Sequence, residues 1–403
     1  MTGQRIRQAR LAAGLTQDEV VKRLAGSGQP ITKAALSKYE LGKSTPSAAF
    51  LLKLAEALGV KAAYFLREPD ARVEWLGFRK HSQLTAPRQE RIKARVADVA
   101  SGQFELQSVL YPDEQPIFIA PRVASSTDDA EAAAAALRDA WRLGEDPIES
   151  VTEVVEDHGG IVVAWSEDTG RFDGLSGWIN GRFPLAVINM GVPRDRCRYN
   201  LAHELGHMAM RCEGMDEKDE ERLAHRFAAA FLVPAEVAYR ELGRKRRRLD
   251  LAELGLLKRK HGLSIQAWIR RAYDLGIIEK GTYSRLYVRL AARGQRTNEP
   301  YALEGTEEPT RLRQMTLRAL AEGVITEEKA LELCPDCVTP EPQAQPEGRQ
   351  YTARELLRMP AAERERVLAR MAEAAEEEYR TNPELSEFEA FGEDDLYDEY
   401  PAE

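Results

Sequence analysis

Residues 196–210 read RCRYNLAHELGHMAM, and residues 219–234 read DEERLAHRFAAAFLVP. The first stretch contains H-E-x-x-H. On a helix four residues advance about 400°, so His203 and His207 lie about 40° apart, one turn along the axis. Both imidazoles can then reach one metal ion. Glu204 lies about 100° round from His203, beside the metal rather than on it. There a carboxylate can take a proton from water. Leu201, Leu205 and Met208 fall on the opposite face and predict burial in a core. Two histidines and a water do not complete a protein site, so a third ligand is required from a following helix. The second stretch offers Glu221, which shares a helical face with Ala224, His225 and Ala228; the alanines allow close approach to the metal helix. Three of the six histidines fall within these 23 residues, against a surface or core helix that holds no metal.

The residues before the motif predict a compact mixed domain. A helix through Val151, Val154 and Val155 stops at Gly159 and Gly160, and the β-branched run Ile161 to Val163 follows as a strand. Further strands are predicted over 175–179 and 185–189, completing a small sheet. The 175–179 strand is placed to align an extended substrate by strand addition.

The segments GLSGWINGRFPLAVINM, RCRYNLAHELGHMAM and EERLAHRFAAAFLVP together resemble the ImmA/IrrE family of metallo-endopeptidases over roughly residues 150–240. The resemblance implies a zincin-like fold and one Zn2+ per chain held by His203, His207 and Glu221, with Glu204 as general base. It implies water attack on a peptide carbonyl, with relatives that cleave repressors. Where that family has Asn or Asp two residues before the Phe-Ala-Ala phenylalanine, this chain has His225. That departure either shifts ligation or replaces a hydrogen bond to a ligand, and we assign His225 the second role.

The first 66 residues predict five short helices. Thr16 and Glu19 form a T-x-x-E capping box, Thr32 and Ser47 cap later helices, and Gly14 and Gly42 end two of them. In a bundle of this kind the third helix enters the major groove. Thr32, Lys33, Ala34, Ser37 and Lys38 are its groove-facing candidates, while Gln17 and Lys43 are placed to hold phosphates. The stretch IRQARLAAGLTQDEVVKRL (6–24) and the stretch ITKAALSKYELGKSTPSAAFLLKLAEALGV (31–60) resemble the Xre/Cro/lambda-repressor-like helix-turn-helix family. The resemblance implies a double-stranded DNA operator and, because operators are palindromic, a homodimer. The alternative is a helical bundle that binds protein instead.

Charge is distributed unevenly. Residues 1–68 carry eleven Lys/Arg against five Asp/Glu, residues 339–403 carry seven against eighteen, and the whole chain has a net charge of -9. A basic head on an acidic chain points to one domain that meets a polyanion. At 403 residues, 43% of them apolar, the chain exceeds one ordinary core. No charge-free apolar run spans a bilayer and no signal-peptide core opens the chain, so a soluble cytoplasmic protein is expected, with no membrane partner. Cys334 and Cys337 form a C-x-x-C without a second ligand pair, and are read as two ordinary thiols at a helix end. The basic run Arg244 to Arg248 is either a solvated helix end or a second phosphate contact.

The resulting fold class is multidomain and mainly α. Its parts are a five-helix DNA-binding bundle (1–68), a helical linker region (69–147), an α+β zincin-like core with a small sheet (148–240), a helical C-terminal subdomain that closes the cleft (241–338), and a linker, helix and acidic tail (339–403). Two functions compete. One is a transcriptional regulator whose zinc endopeptidase cleaves a repressor or itself in a stress or mobile-element response. The other is a non-catalytic repressor or antitoxin whose zincin-like domain senses metal or peptide, and whose tail holds a toxin or other basic partner.

Overall fold

A computed structural model describes residues 2–66, 71–76, 85–166, 172–296 and 298–338, with Arg364 and Leu368 alone beyond them. The Pro/Gln-rich linker and the acidic tail with Phe388, Phe391, Tyr397 and Tyr400 lie outside the described residues. Residues 1–338 form one compact unit.

The basic head folds as α1 (Thr2–Ala12), α2 (Gln17–Gly26), α3 (Lys33–Glu40) and α4 (Ala48–Leu58), followed by a single 3-10 turn, Ala62–Phe65, in place of a fifth full helix. The caps are those legible in the sequence. Thr16 and Glu19 bond reciprocally at the start of α2, while Thr32 and Ser47 accept from the Ala35 and Phe50 amides. Ile6, Leu24, Leu36, Leu54 and Phe65 fill the bundle's core. Glu40 is buried and takes the Arg10 guanidinium in a two-point ion pair at 2.6 and 2.9 Å, tying α3 to α1.

The region read as a linker has structural parts instead. It supplies β1 (Val73–Trp75), α5 (Ala86–Leu110), β2 (Arg122–Val123) and α6 (Thr127–Ala140). Then come α7 (Val151–Asp157), β3 (Ile161–Trp165), β4 (Gly174–Ile179) and β5 (Phe183–Asn189). The main sheet has the order β1-β4-β5-β3, with β3 parallel to β5 and β4 antiparallel to both its neighbours. Helix α8 (Arg194–Ala209) leads into β6 (Met210–Arg211), which pairs with β2, and then into α9 (Glu217–Leu232).

Strand alternation divides the sheet between two helical layers. Ile161, Val163, Leu175, Ile179, Leu185 and Val187 face α5, meeting Ile92, Val96 and Ala100 on one stripe of that helix. Val162, Ala186 and Ile188 face the other way, onto Leu201 and Leu205 of α8. A strand buried on both faces explains the nearly continuous apolar run of residues 185–188. Across α5 sits the basic head. Asp98 accepts from Gln8 and from the Tyr64 hydroxyl, both at 2.7 Å, with Arg5 3.7 Å away.

Beyond α9 come α10 (Ala235–Leu242), α11 (Leu251–His261), α12 (Ile265–Asp274) and α13 (Lys280–Ala292). Leu254, Trp268, Ile269 and Leu290 join the same core as α8 and α9, so these helices extend the α+β body. The last helices, α14 (Arg311–Ala321) and α15 (Glu327–Leu333), return to α5, where Met315 and Ala319 cover Leu106. The reading of Cys334 and Cys337 as two free thiols is corrected. Residues 335–338 make one 3-10 turn that brings their Cα atoms to 5.3 Å, and the two are joined as a disulfide. No helix among the described residues is long and apolar enough to cross a membrane.

Candidate metal centre

The centre is built where α8 and α9 pack against each other. Gly206 lies inside the H-E-L-G-H motif on the face toward α9. A Cβ there would come 3.1 to 3.2 Å from Phe227, so the missing side chain sets how closely the helices approach. Ala224 and Ala228 are fully buried at the same contact. This proximity carries the Glu221 carboxylate to both histidines. Glu221 Oε2 lies 3.1 Å from His203 Nε2, Oε1 lies 3.5 Å from His207 Nε2, and the two Nε2 atoms are 3.0 Å apart. The imidazole rings stand at 89° to each other, so their lone pairs converge from two directions.

Three Lewis bases brought this close repel one another unless a proton or a cation lies between them. The donors fit a metal ion. A tetrahedral zinc with ligands at about 2.0 to 2.2 Å has edges of roughly 3.3 Å, and the three observed separations bracket that value. Among the described residues His203, His207 and Glu221 form a His/Cys/Asp/Glu group able to hold a metal ion. His203 Nδ1 is buried and has no hydrogen-bond partner, so the ring's second nitrogen lacks the orienting acceptor common at metal sites.

Glu204, next to His203 on α8, meets the sheet with its carboxylate. Ser176 on β4 donates its hydroxyl to Glu204 Oε2 at 2.6 Å. A Cβ on Gly174 would sit 2.9 Å from the other carboxylate oxygen. One residue therefore orients the carboxylate and the other makes room for it. Neither was among the candidates from sequence, although a signal exists. Gly174 and Ser176 are small or polar residues two apart in an apolar strand, on the face that covers α8.

His225 stands beside the triad without joining it. Its ring centroid is 4.4 Å from that of His203, and Tyr199 stacks on it at 5.8 Å. Burial, and then the neighbouring His203, push the imidazole down to about 4, so it is neutral at pH 7. Outside the centre, a cavity of 1110 Å³ runs from Glu221, Tyr199 and His225 to Arg270 on α12 and to Tyr283 and Tyr287 on α13. The C-terminal helices thus wall the cleft.

The strand over 175–179 is not open for strand addition. β5 lies along one side of β4, and β1 lies along the other, pairing Val73 with Ile179 and Trp75 with Gly177.

In the head, Thr32, Lys33, Ala34 and Lys38 are exposed on α3, Ser37 is half-buried, and Lys43 is exposed just after it. Lys33 is engaged by Asp18 at 2.7 Å, in a pair open to solvent. Gln17 turns inward, donating its side-chain amide to the buried Glu40 at 2.8 Å. Its position is therefore set by the α2–α3 contact.

Residues 6–65 match the helix-turn-helix family model. Residues 164–273 match that of the IrrE N-terminal-like domain, a match that contains the whole His/His/Glu cluster. The chain joins a helix-turn-helix domain to an IrrE-like domain. No curated protein matches the chain. The IrrE-like match extends past α9 through most of α12, in keeping with the shared core of those helices.

Proposed function

We propose that the protein is a DNA-binding transcriptional regulator carrying a zinc-dependent endopeptidase, which cleaves a repressor-type protein or a chain of its own kind. The observation that carries this reading is the convergence of His203, His207 and Glu221 beside a separately oriented carboxylate, Glu204.

His203, His207 and Glu221 would hold the ion. Bound there, zinc would lower the pKa of a water and polarise a peptide carbonyl. Glu204, fixed by the Ser176 hydroxyl, accepts the proton of the attacking water and returns it to the leaving amine. His225, neutral and packed against both Tyr199 and His203, would hold the His203 ring in place. The cavity bounded by α12 and α13 gives an extended peptide room to lie beside the centre.

In the head, Thr32, Lys33, Ala34, Ser37 and Lys38 would face base edges, and Lys43 a phosphate, on a double-stranded operator bound by a homodimer, while Gln17 keeps its bond to Glu40. The test is co-expression with candidate repressors of the helix-turn-helix type. Zinc-dependent loss of one of them, abolished by Glu204→Gln while zinc content stays unchanged, is the expected result. Regulation that persists in the Glu204→Gln variant with every candidate repressor left intact would replace the peptidase with a metal- or peptide-sensing domain.

A further inference from the structure

The cavity outside the metal centre carries a charge pattern that the catalytic reading leaves unused. Eight Lys/Arg and six Asp/Glu line it, but the two signs are not equally accessible. Arg196, Lys218, Arg222, Arg270 and Arg296 are exposed, whereas Asp216 is the one exposed acid among the lining residues. The other acids are committed. Asp195 and Glu299 flank the buried Lys258 ammonium at 2.9 and 3.1 Å, and Asp274 bonds Arg270 at 2.9 Å with Arg226 3.4 Å away. Asp219 pairs with Arg222 at 3.2 Å, and Glu221 belongs to the metal donors. A guanidinium has five N–H donors, so Arg222 and Arg270 keep donors to spare after pairing once.

An aromatic row lies beside these cations. The rings of Tyr273, Tyr283 and Tyr287 follow one another with centroids 4.8 and 4.7 Å apart. Arg270 donates to the Tyr283 hydroxyl and lies near enough to His225 to disfavour its protonation, while Arg296 lies near Tyr287. The row therefore leads away from the metal centre with a cation at each end. We propose that this cavity is the subsite for an acidic stretch of the polypeptide substrate beside the scissile bond, its carboxylates taken by Arg270 and Arg296 and an apolar side chain laid on Tyr283 and Tyr287.

This rests on the peptidase reading above and names the class of substrate that the site selects. The wall is rigid before any ligand arrives. Glu299 accepts from the Ile265 and Gln266 amides at 2.8 and 2.9 Å, which fixes the start of α12. Arg271 binds Glu131 at two points and the Val233 carbonyl at 3.1 Å. Binding on such a wall loses little to ordering of the protein. Because the cavity is concave and opens on Glu221 and His225, a polypeptide fits it better than a nucleic acid does.

The probes are short, unstructured, rhodamine-labelled peptides with a central phenylalanine, identical except that the flanking positions are all Glu or all Gln. They are titrated by anisotropy into full-length Glu204→Gln protein, in which turnover is blocked. The Glu probe should bind about tenfold more tightly than the Gln probe at low salt, and the difference should shrink as salt is added. Arg296→Gln alone should remove about threefold of that preference. Arg270→Gln with Arg296→Gln should abolish it and leave the affinity of the Gln probe unchanged, which a merely structural role would not do. Equal binding of the two probes, no binding of either, or a preference that survives the double substitution overturns the inference. So does displacement of the Glu probe by a single-stranded oligonucleotide at lower concentration than by the unlabelled Glu peptide, which would make the cavity a nucleic-acid site. Selective binding with no zinc-dependent cleavage of the Glu probe by wild-type protein supports the acidic-segment subsite and sinks the peptidase reading alone. Cleavage of both probes with equal KM does the reverse.

Discussion

At the scale of single residues the centre separates two tasks that one carboxylate cannot perform together. Glu221 completes the candidate metal donors, and Glu204 is oriented separately by Ser176 and the space at Gly174. Glu204→Gln should therefore keep the metal and lose about 10² to 10⁴ in cleavage rate, the usual contribution of a positioned base. Ser176→Ala should leave zinc content unchanged and lower kcat rather than raise KM, because the base is then free to rotate. Zinc measured beside steady-state kinetics checks both, and a Ser176→Ala enzyme with unaltered kcat removes Ser176 from the account. In the head, Lys43 is exposed just after α3, whereas Lys33 is engaged by Asp18. Replacing Lys43 by alanine should weaken operator binding uniformly across sequences and reduce the salt slope by about one. A change in sequence preference instead would place that lysine on a base edge.

At the scale of elements, what the sequence discloses is what the helix period controls. His203, His207 and Glu204 are related by local geometry within α8, and Ala224, Ala228 and Glu221 by the same geometry within α9, so the spacing alone brings out the site. Their meeting depends on Gly206, whose role appears only when Phe227 is placed against it. β1, β2 and β6 were not legible because two or three residues carry too little alternation, and each pairs with a strand distant in sequence. The role of α5 was missed for a related reason. It presents one stripe to the sheet and Asp98 to the head, and a linker helix with two polar-looking faces reads the same way. Gly206→Val should push α9 outward and lower zinc affinity with the helical signal in circular dichroism retained; unchanged affinity would show that α9 tolerates the shift. A second control of α8 is the buried Arg198, which binds Glu307 at 2.9 Å and the Ile148 and Glu149 carbonyls. Glu307 also accepts from the first amides of α7 at 2.9 and 3.1 Å. Arg198→Met leaves that carboxylate buried with Arg194, 3.4 Å away, as its remaining cation, and should cost about 1.5 to 3 kcal/mol in urea denaturation.

At the scale of the molecule, residues far apart in sequence share one body. The head docks on α5, α5 covers the sheet, the sheet covers α8, and α14 and α15 come back to α5. Glu156 links the ends of this path. It is buried at the end of α7, and its carboxylate accepts from the Thr310 and Arg311 amides at the start of α14. Burial outweighs those bonds and pushes its carboxyl up to about 7. The folded chain therefore holds this proton more tightly than the unfolded chain. The resulting stabilisation is complete below the unfolded value of about 4.3 and is lost as pH rises through about 7. Glu156→Gln should flatten the fall in Tm across that window, and an unchanged slope would assign it to other groups.

The account stands on the convergence of two imidazoles and one carboxylate upon a single cation. Metal analysis of the full chain, purified without added zinc, tests it most directly. About one equivalent of zinc per chain is predicted, retained in Glu204→Gln and lost in His203→Ala and in Glu221→Gln. A chain that holds no metal, or one whose metal survives the loss of His203 or Glu221, would contradict it.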